Sequence, residues 1–324
     1  MFYAPHAGPP VPVDLDNPGI YATPTVAPHA VATGTDPAKA GNLTFNLVFN
    51  DVVNSTTVGF DDATEGATRR AQALAVANYL NDVLNENTGA TIDITFNNSQ
   101  TDGTGFLASA GTFFTLSNGY TSGIAHQHIT SGTDPSGSVV DITVTVDFGY
   151  TWNSDAGAPA GGEYDLASVL LHEYTHGLGF SAAADASGLS TINGTNPGSF
   201  TNLTDGLLRG TGSVDLWNAA FTFVGAAADL ISNDVFFTGA NATAANGASN
   251  PKIYAPGAFA AGSSLSHWDT TTFPTAVMRH STAAGVTTRQ YSAVDIGGLQ
   301  DIGYSSAADP GVPVPVEISG FTTE

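Results

Sequence analysis

The chain has 324 residues, enough for one large domain or two lobes with a hydrophobic core in each. Acidic residues outnumber basic ones 29 to 7, and the resulting net charge of -22 argues against partners with phosphate backbones or anionic lipid surfaces. Cysteine is absent, which removes disulfides, thiolate metal sites and cysteine nucleophiles together.

No run of about 18 or more apolar residues occurs, so no membrane-spanning helix is expected. The first residues, "MFYAPHAGPPVPVDLDNPG", lack the basic start and apolar stretch of a signal peptide. Abundant Gly, Thr, Ala, Asn and Ser with very few Lys nevertheless suit an exported protein. The expectation is therefore a secreted chain that begins after its export signal. Residues 1–40, rich in Pro, Ala and Thr, read as an extended arm or the remnant of a prosegment.

An upper lobe is expected over 41–180. "LTFNLVFND" (43–51) alternates apolar and polar residues as a half-buried strand does. "GATRRAQALAVANYLNDVLNEN" (66–87) has helical spacing, and "ATIDITFNN" (90–98) and "SVVDITVTVDFGY" (138–150) read as further strands. "EYDLASVLLHEYTHGLG" follows as a second helix, ended by Gly177 and Gly179. The predicted class is α+β: a mixed sheet with a backing helix and a site-bearing helix, above a loop-rich lower lobe (181–304). Within that lobe "SVDLWNAAF" (213–221) is a short helical candidate, and "SAVDIGGLQDIGY" (292–304) a closing helix. Residues 305–324 read as a Pro-rich linker leading towards a further C-terminal domain.

The chemistry concentrates in "VLLHEYTHGLGF". His172 and His176 are four apart, so on a helix both imidazoles leave one face a turn apart and can reach a single ion at roughly 2.0–2.1 Å. Glu173 lies a step around the helix, placed to take a proton from a metal-activated water. Two histidines leave zinc under-coordinated. A downstream glutamate ligand is excluded, because after Glu173 the next glutamates are Glu317 and Glu324 in the tail. The extended pattern H-E-x-x-H-x-x-G-x-x-H has its glycine at Gly179 but Ala182 where the third histidine belongs. The remaining candidates are Asp185, His267 and His280. Met278, the sole internal methionine, follows His267 in "FPTAVMRHS".

"HEYTHGLGF", a long insertion, "SHWD" and then a methionine turn resemble the leishmanolysin-type metzincins and their bacterial relatives. The specific motifs are confined to 172–180 and 265–281. The resemblance implies a two-lobed zinc endopeptidase acting on protein or peptide substrates. Zinc would be held by His172, His176 and His267, with Glu173 as general base and Met278 as the turn methionine. It further implies an edge strand that accepts the substrate backbone, for which 138–150 and "GTFFTLS" (111–117) are candidates. The chain departs from that family in having no cysteine.

His280, two residues after Met278, occupies a place where some metzincins carry a tyrosine that assists catalysis; Tyr291 is a second candidate. On a strand His126 and His128 would share one face; they read as a solvated pair, with a second metal site as the alternative. Arg69 and Arg70 read as solvated or paired with surface acids, and His6 and His29 as incidental. Structural calcium in Asp-rich loops is a further candidate. A non-catalytic zinc module for adhesion, and a latent form capped by the N-terminal arm, are the rival functions.

Overall fold

The computed structural model describes residues 42–50, 58–97, 103, 105–114, 119–121, 123–137, 139–192, 200–220 and 222–314, with the short strands Phe2–Tyr3 and Val31–Gly34. His6, His29 and residues 315–324 lie outside them.

The strands of the main sheet are β1 (Phe2–Tyr3), β2 (Val31–Gly34), β3 (Thr44–Phe49), β4 (Thr91–Phe96), β5 (Phe106–Thr112) and, after the short β6 (Gly119–Thr121), β7 (Ile142–Val146). Their order across the sheet is β1-β5-β7-β4-β3-β2. β3, β4 and β7 run parallel, while β5, β1 and β2 are antiparallel to their neighbours. The alternation read in 43–51 is realised: Phe45, Leu47 and Phe49 are buried while Thr44, Asn46 and Val48 are only half-buried. β7 lies between β4 and β5, so 138–150 is not the edge. Outside β5, the strand that ends at 111–112, lies among the described residues only the two-residue β1.

Helix α1 (Gly66–Leu84) backs the sheet. Ala73, Val76, Ala77, Leu80, Val83 and Leu84 recur at helical spacing and are buried. It ends at Asn85, which takes the left-handed conformation (φ 51°). Gly66 begins it because a Cβ there would lie 2.6 Å from the Phe60 carbonyl oxygen. Arg69 and Arg70 are half-buried, and beyond any surface pairing they donate to the carbonyls of Gly59 and Phe60 and clasp that turn to the helix. Phe49, Phe60 and Phe96 pack ring to ring at 4.7–4.8 Å, and Tyr174 meets Phe96 at 6.3 Å.

Helix α2 (Gly123–Ser131) precedes β7. The parallel pair β8 (Trp152–Asn153) and β9 (Tyr164–Asp165) leads into α3 (Leu166–Gly177), which carries the histidine motif. β10 (Phe200–Asn202) pairs with β6. The segment 181–265 is loop-rich as expected, and among its loops it holds α4 (Leu203–Gly206) and a small four-stranded sheet. That sheet consists of β11 (Leu208–Gly210), β12 (Val214–Asp215), β13 (Val235–Phe237) and β14 (Lys252–Ile253), in the order β12-β11-β13-β14.

The helix expected at 213–221 does not form. Val214–Asp215 pairs with β11, and the Asn218 side chain accepts from the N–H groups of Ala220 and Thr222, closing a turn instead. Helix α5 (Ala240–Ala245) packs on the closing helix α6 (Ala293–Asp301), whose Ser292 and Asp295 form a capping box.

One connected set of buried residues runs from Leu43 to Val314, so the segments 41–180 and 181–304 share a core. Residues 305–314 fold back on the body: Ala308 N–H donates to Val83 and Val314 N–H to Arg289. The protein is thus mixed α+β, and among the described residues no helix is long and apolar enough to cross a membrane.

Candidate metal centre

Helix α3 is anchored at both ends. Its N-cap Asp165 accepts from Ser168 N–H at 3.1 Å and is ion-paired with Arg289, both side chains being buried. Arg289 also donates to the carbonyls of Ala156, Asp155 and Gly157, so one guanidinium ties the helix start to the preceding loop. At the far end the two glycines act differently from each other. Gly179 has φ 101° and makes the turn, whereas Gly177 is needed for close approach, since a Cβ there would lie 2.5 Å from Ile142 of β7.

Three imidazoles converge above this helix. Nε2 of His176 is 3.1 Å from Nε2 of His172 and 3.1 Å from that of His267, and the third side of the triangle is 3.2 Å. Each opposite ring nitrogen faces a backbone carbonyl: His172 Nδ1 that of Val277 (2.7 Å), His176 Nδ1 that of Phe180 (2.8 Å), His267 Nδ1 that of Ser263 (2.7 Å). A carbonyl only accepts, so each Nδ1 carries its proton and each Nε2 turns a lone pair inward. A cation suits three lone pairs aimed at one point: nitrogens so spaced fit an ion about 2.0–2.1 Å from each, about 1 Å off their plane. Burial pushes all three histidines well below the usual imidazole pKa, keeping them in the neutral form that binds metal.

His267 is brought to the trio by strand-like contacts. Tyr254 N–H donates to the His267 carbonyl at 2.8 Å, and Trp268 bridges to both Ile253 and Arg279. Met278 is buried in the turn directly after Val277, whose carbonyl orients His172. That turn is held by Asp295, which accepts from Val277 N–H (3.0 Å), Met278 N–H (3.2 Å) and Trp268 Nε1 (2.9 Å). Asp295 escaped the sequence reading, although its three-residue spacing from Ser292 is a cap signal.

The competing ligand candidates lie elsewhere. Asp185 closes its own turn, accepting from Ser187 and Leu189 N–H groups, and it does not join the converging group. His280 is likewise outside that group. It stacks on Tyr254 at 3.7 Å between centroids, with Nδ1 2.7 Å from the Thr270 hydroxyl, and burial lowers its pKa to about 4. Tyr291 is fully engaged behind the helix, its hydroxyl 2.5 Å from that of Thr175. His126 and His128 sit on α2 rather than on a strand, so they do not share a face. His126 packs edge-on against Tyr304, while His128 bonds Asp141.

Glu173 is buried beside His172. Calcium finds no all-carboxylate group of three or more gathered among the described residues; both gathered sets contain histidine. Comparison with protein-family models, curated proteins and solved structures finds no match to this chain.

Proposed function

We propose that the chain is an exported zinc-dependent endopeptidase, with His172, His176 and His267 as ligands and Glu173 as general base. The observation that carries the reading is the convergence of three inward Nε2 lone pairs, each backed by a carbonyl on the opposite nitrogen. Three protein ligands, rather than four, are the pattern of catalytic zinc. Bound zinc would polarise the scissile carbonyl and acidify a water. Glu173, fixed next to His172 on a helix anchored at both ends, would accept that water's proton and deliver it to the departing amine. His280 enters only as a neutral hydrogen-bonding side chain, because burial keeps it uncharged at neutral pH.

The test is hydrolysis of unfolded casein by the zinc-loaded chain beside its Glu173→Ala variant, with zinc content measured in both. Cleavage lost in the variant with zinc retained is the expected result. Equal cleavage by both would reject Glu173 as the base, and zinc retained with no cleavage by any form would favour a non-catalytic zinc module.

A specific observation favours latency in the chain as it stands. His172, Glu173 and His267 are 0% exposed and His176 4%, so a substrate carbonyl reaches the site only after something moves. β1 runs antiparallel along β5 and touches α3, on the strand flank that an antiparallel substrate would need. Deleting residues 1–10 leaves β2 in the sheet and should raise casein cleavage by the zinc-loaded chain several-fold. Unchanged turnover in an otherwise active chain would reject the covering role.

A further inference from the structure

We propose that His128, Asp134 and Asp141 form a second metal site, for one borderline divalent ion of which zinc fits best. The site is separate from the group formed by His172, His176 and His267. His128 lies near the end of α2, Asp134 in the turn after it, and Asp141 directly before β7. Each offers a ligand atom within 4.8 Å of the other two.

The distances around His128 suit an ion better than a plain ion pair. Its Nδ1 is 3.0 Å from Asp141 Oδ1 and 3.1 Å from Oδ2, so one N–H would be split between two oxygens and point squarely at neither. Separations near 3 Å are those of ligand atoms around one ion about 2.0–2.2 Å from each. Asp141 is also braced as metal-binding carboxylates are, with its Oδ2 accepting from Asp93 N–H at 2.9 Å.

Asp134 supplies the open side. Its Oδ1 accepts from Ser136 N–H (2.8 Å), Gly137 N–H (2.9 Å) and the Ser136 hydroxyl (3.0 Å), which fixes the carboxylate and leaves Oδ2 for an ion. The turn depends on Gly132 (φ 71°), where a Cβ would lie 2.9 Å from the Thr88 carbonyl oxygen. His128 and Asp141 are 7% and 2% exposed while Asp134 is exposed, so the site has buried walls and a solvent-facing mouth through which water completes the coordination. One imidazole with two carboxylates selects zinc over calcium or magnesium, which take oxygen ligands throughout, and the two carboxylates balance the ion's charge.

The experiment counts zinc bound to the full chain after equilibrium dialysis at neutral pH. Wild type should hold two ions, and Asp134→Asn, which changes an exposed side chain, should hold one with the second bound at least 10-fold more weakly. His267→Ala should keep the peripheral ion, and adding Asp134→Asn to it should remove that ion. A wild-type stoichiometry of one whose ion is lost in His267→Ala, or a second ion that survives both Asp134→Asn and His128→Gln, would overturn the proposal. Circular dichroism of each variant confirms that it is folded.

Discussion

Asp295 accepts from Trp268 Nε1, from the N–H groups of Val277 and Met278, and from Ser292 N–H and hydroxyl. One carboxylate thereby joins the cap of α6, the residue after His267 and the turn whose carbonyl orients His172. Its effect on the metal is indirect, through the direction of the Val277 carbonyl. In Asp295→Asn one acceptor oxygen becomes an NH2 group facing donors, which strands buried N–H groups at about 1–3 kcal/mol each. The expected outcome is a lowered melting temperature together with zinc binding about 10–100-fold weaker in a chelator competition. Stability loss with unchanged zinc affinity would leave Asp295 a cap and nothing more.

At the scale of elements, what the sequence discloses depends on length and period. α1, α3 and α6 span nine to nineteen residues, with buried positions or caps that follow helical rules, and all three were readable. So were β3, β4 and β7, although β7 is shorter than the apolar run suggests. The sheet β12-β11-β13-β14 was not readable, because its strands have two or three residues and show no period. In 213–221, apolar residues at plausible helical spacing are claimed by other partners: Trp217 is buried with its Nε1 donating to the Gly188 carbonyl. His126 and His128 were misplaced on a strand because α2 is short and opens with Gly123. The site divides the same way. His172, Glu173 and His176 are local and were plain from spacing alone. His267 needed elimination among distant candidates, and the carbonyls of Val277, Phe180 and Ser263 carry no sequence signal, since any residue supplies one.

For the molecule as a whole, the buried histidines set the response to acid. His126, His172, His176, His267 and His280 all have pKa values pushed below 6.5, chiefly by burial, and those of His126 and His280 fall to about 4. Below pH 6.5 the unfolded chain takes up protons that the folded one refuses, so stability is full above that pH and is lost as pH falls towards the folded values. His126 alone contributes on the order of 3 kcal/mol across its window. Asp141 and Glu86, whose carboxyls burial raises, act with the opposite sign, stabilising the fold as they protonate. Two carboxyls oppose five histidines, so the histidines dominate. The metal-stripped chain should therefore melt progressively lower between pH 6.5 and 4. Zinc should protect the chain at neutral pH and be released in the same interval, because protons and metal compete for the three inward lone pairs. A melting temperature that stays flat from pH 7 to 4.5 without metal would contradict the neutral, closely packed trio from which the proposed chemistry starts.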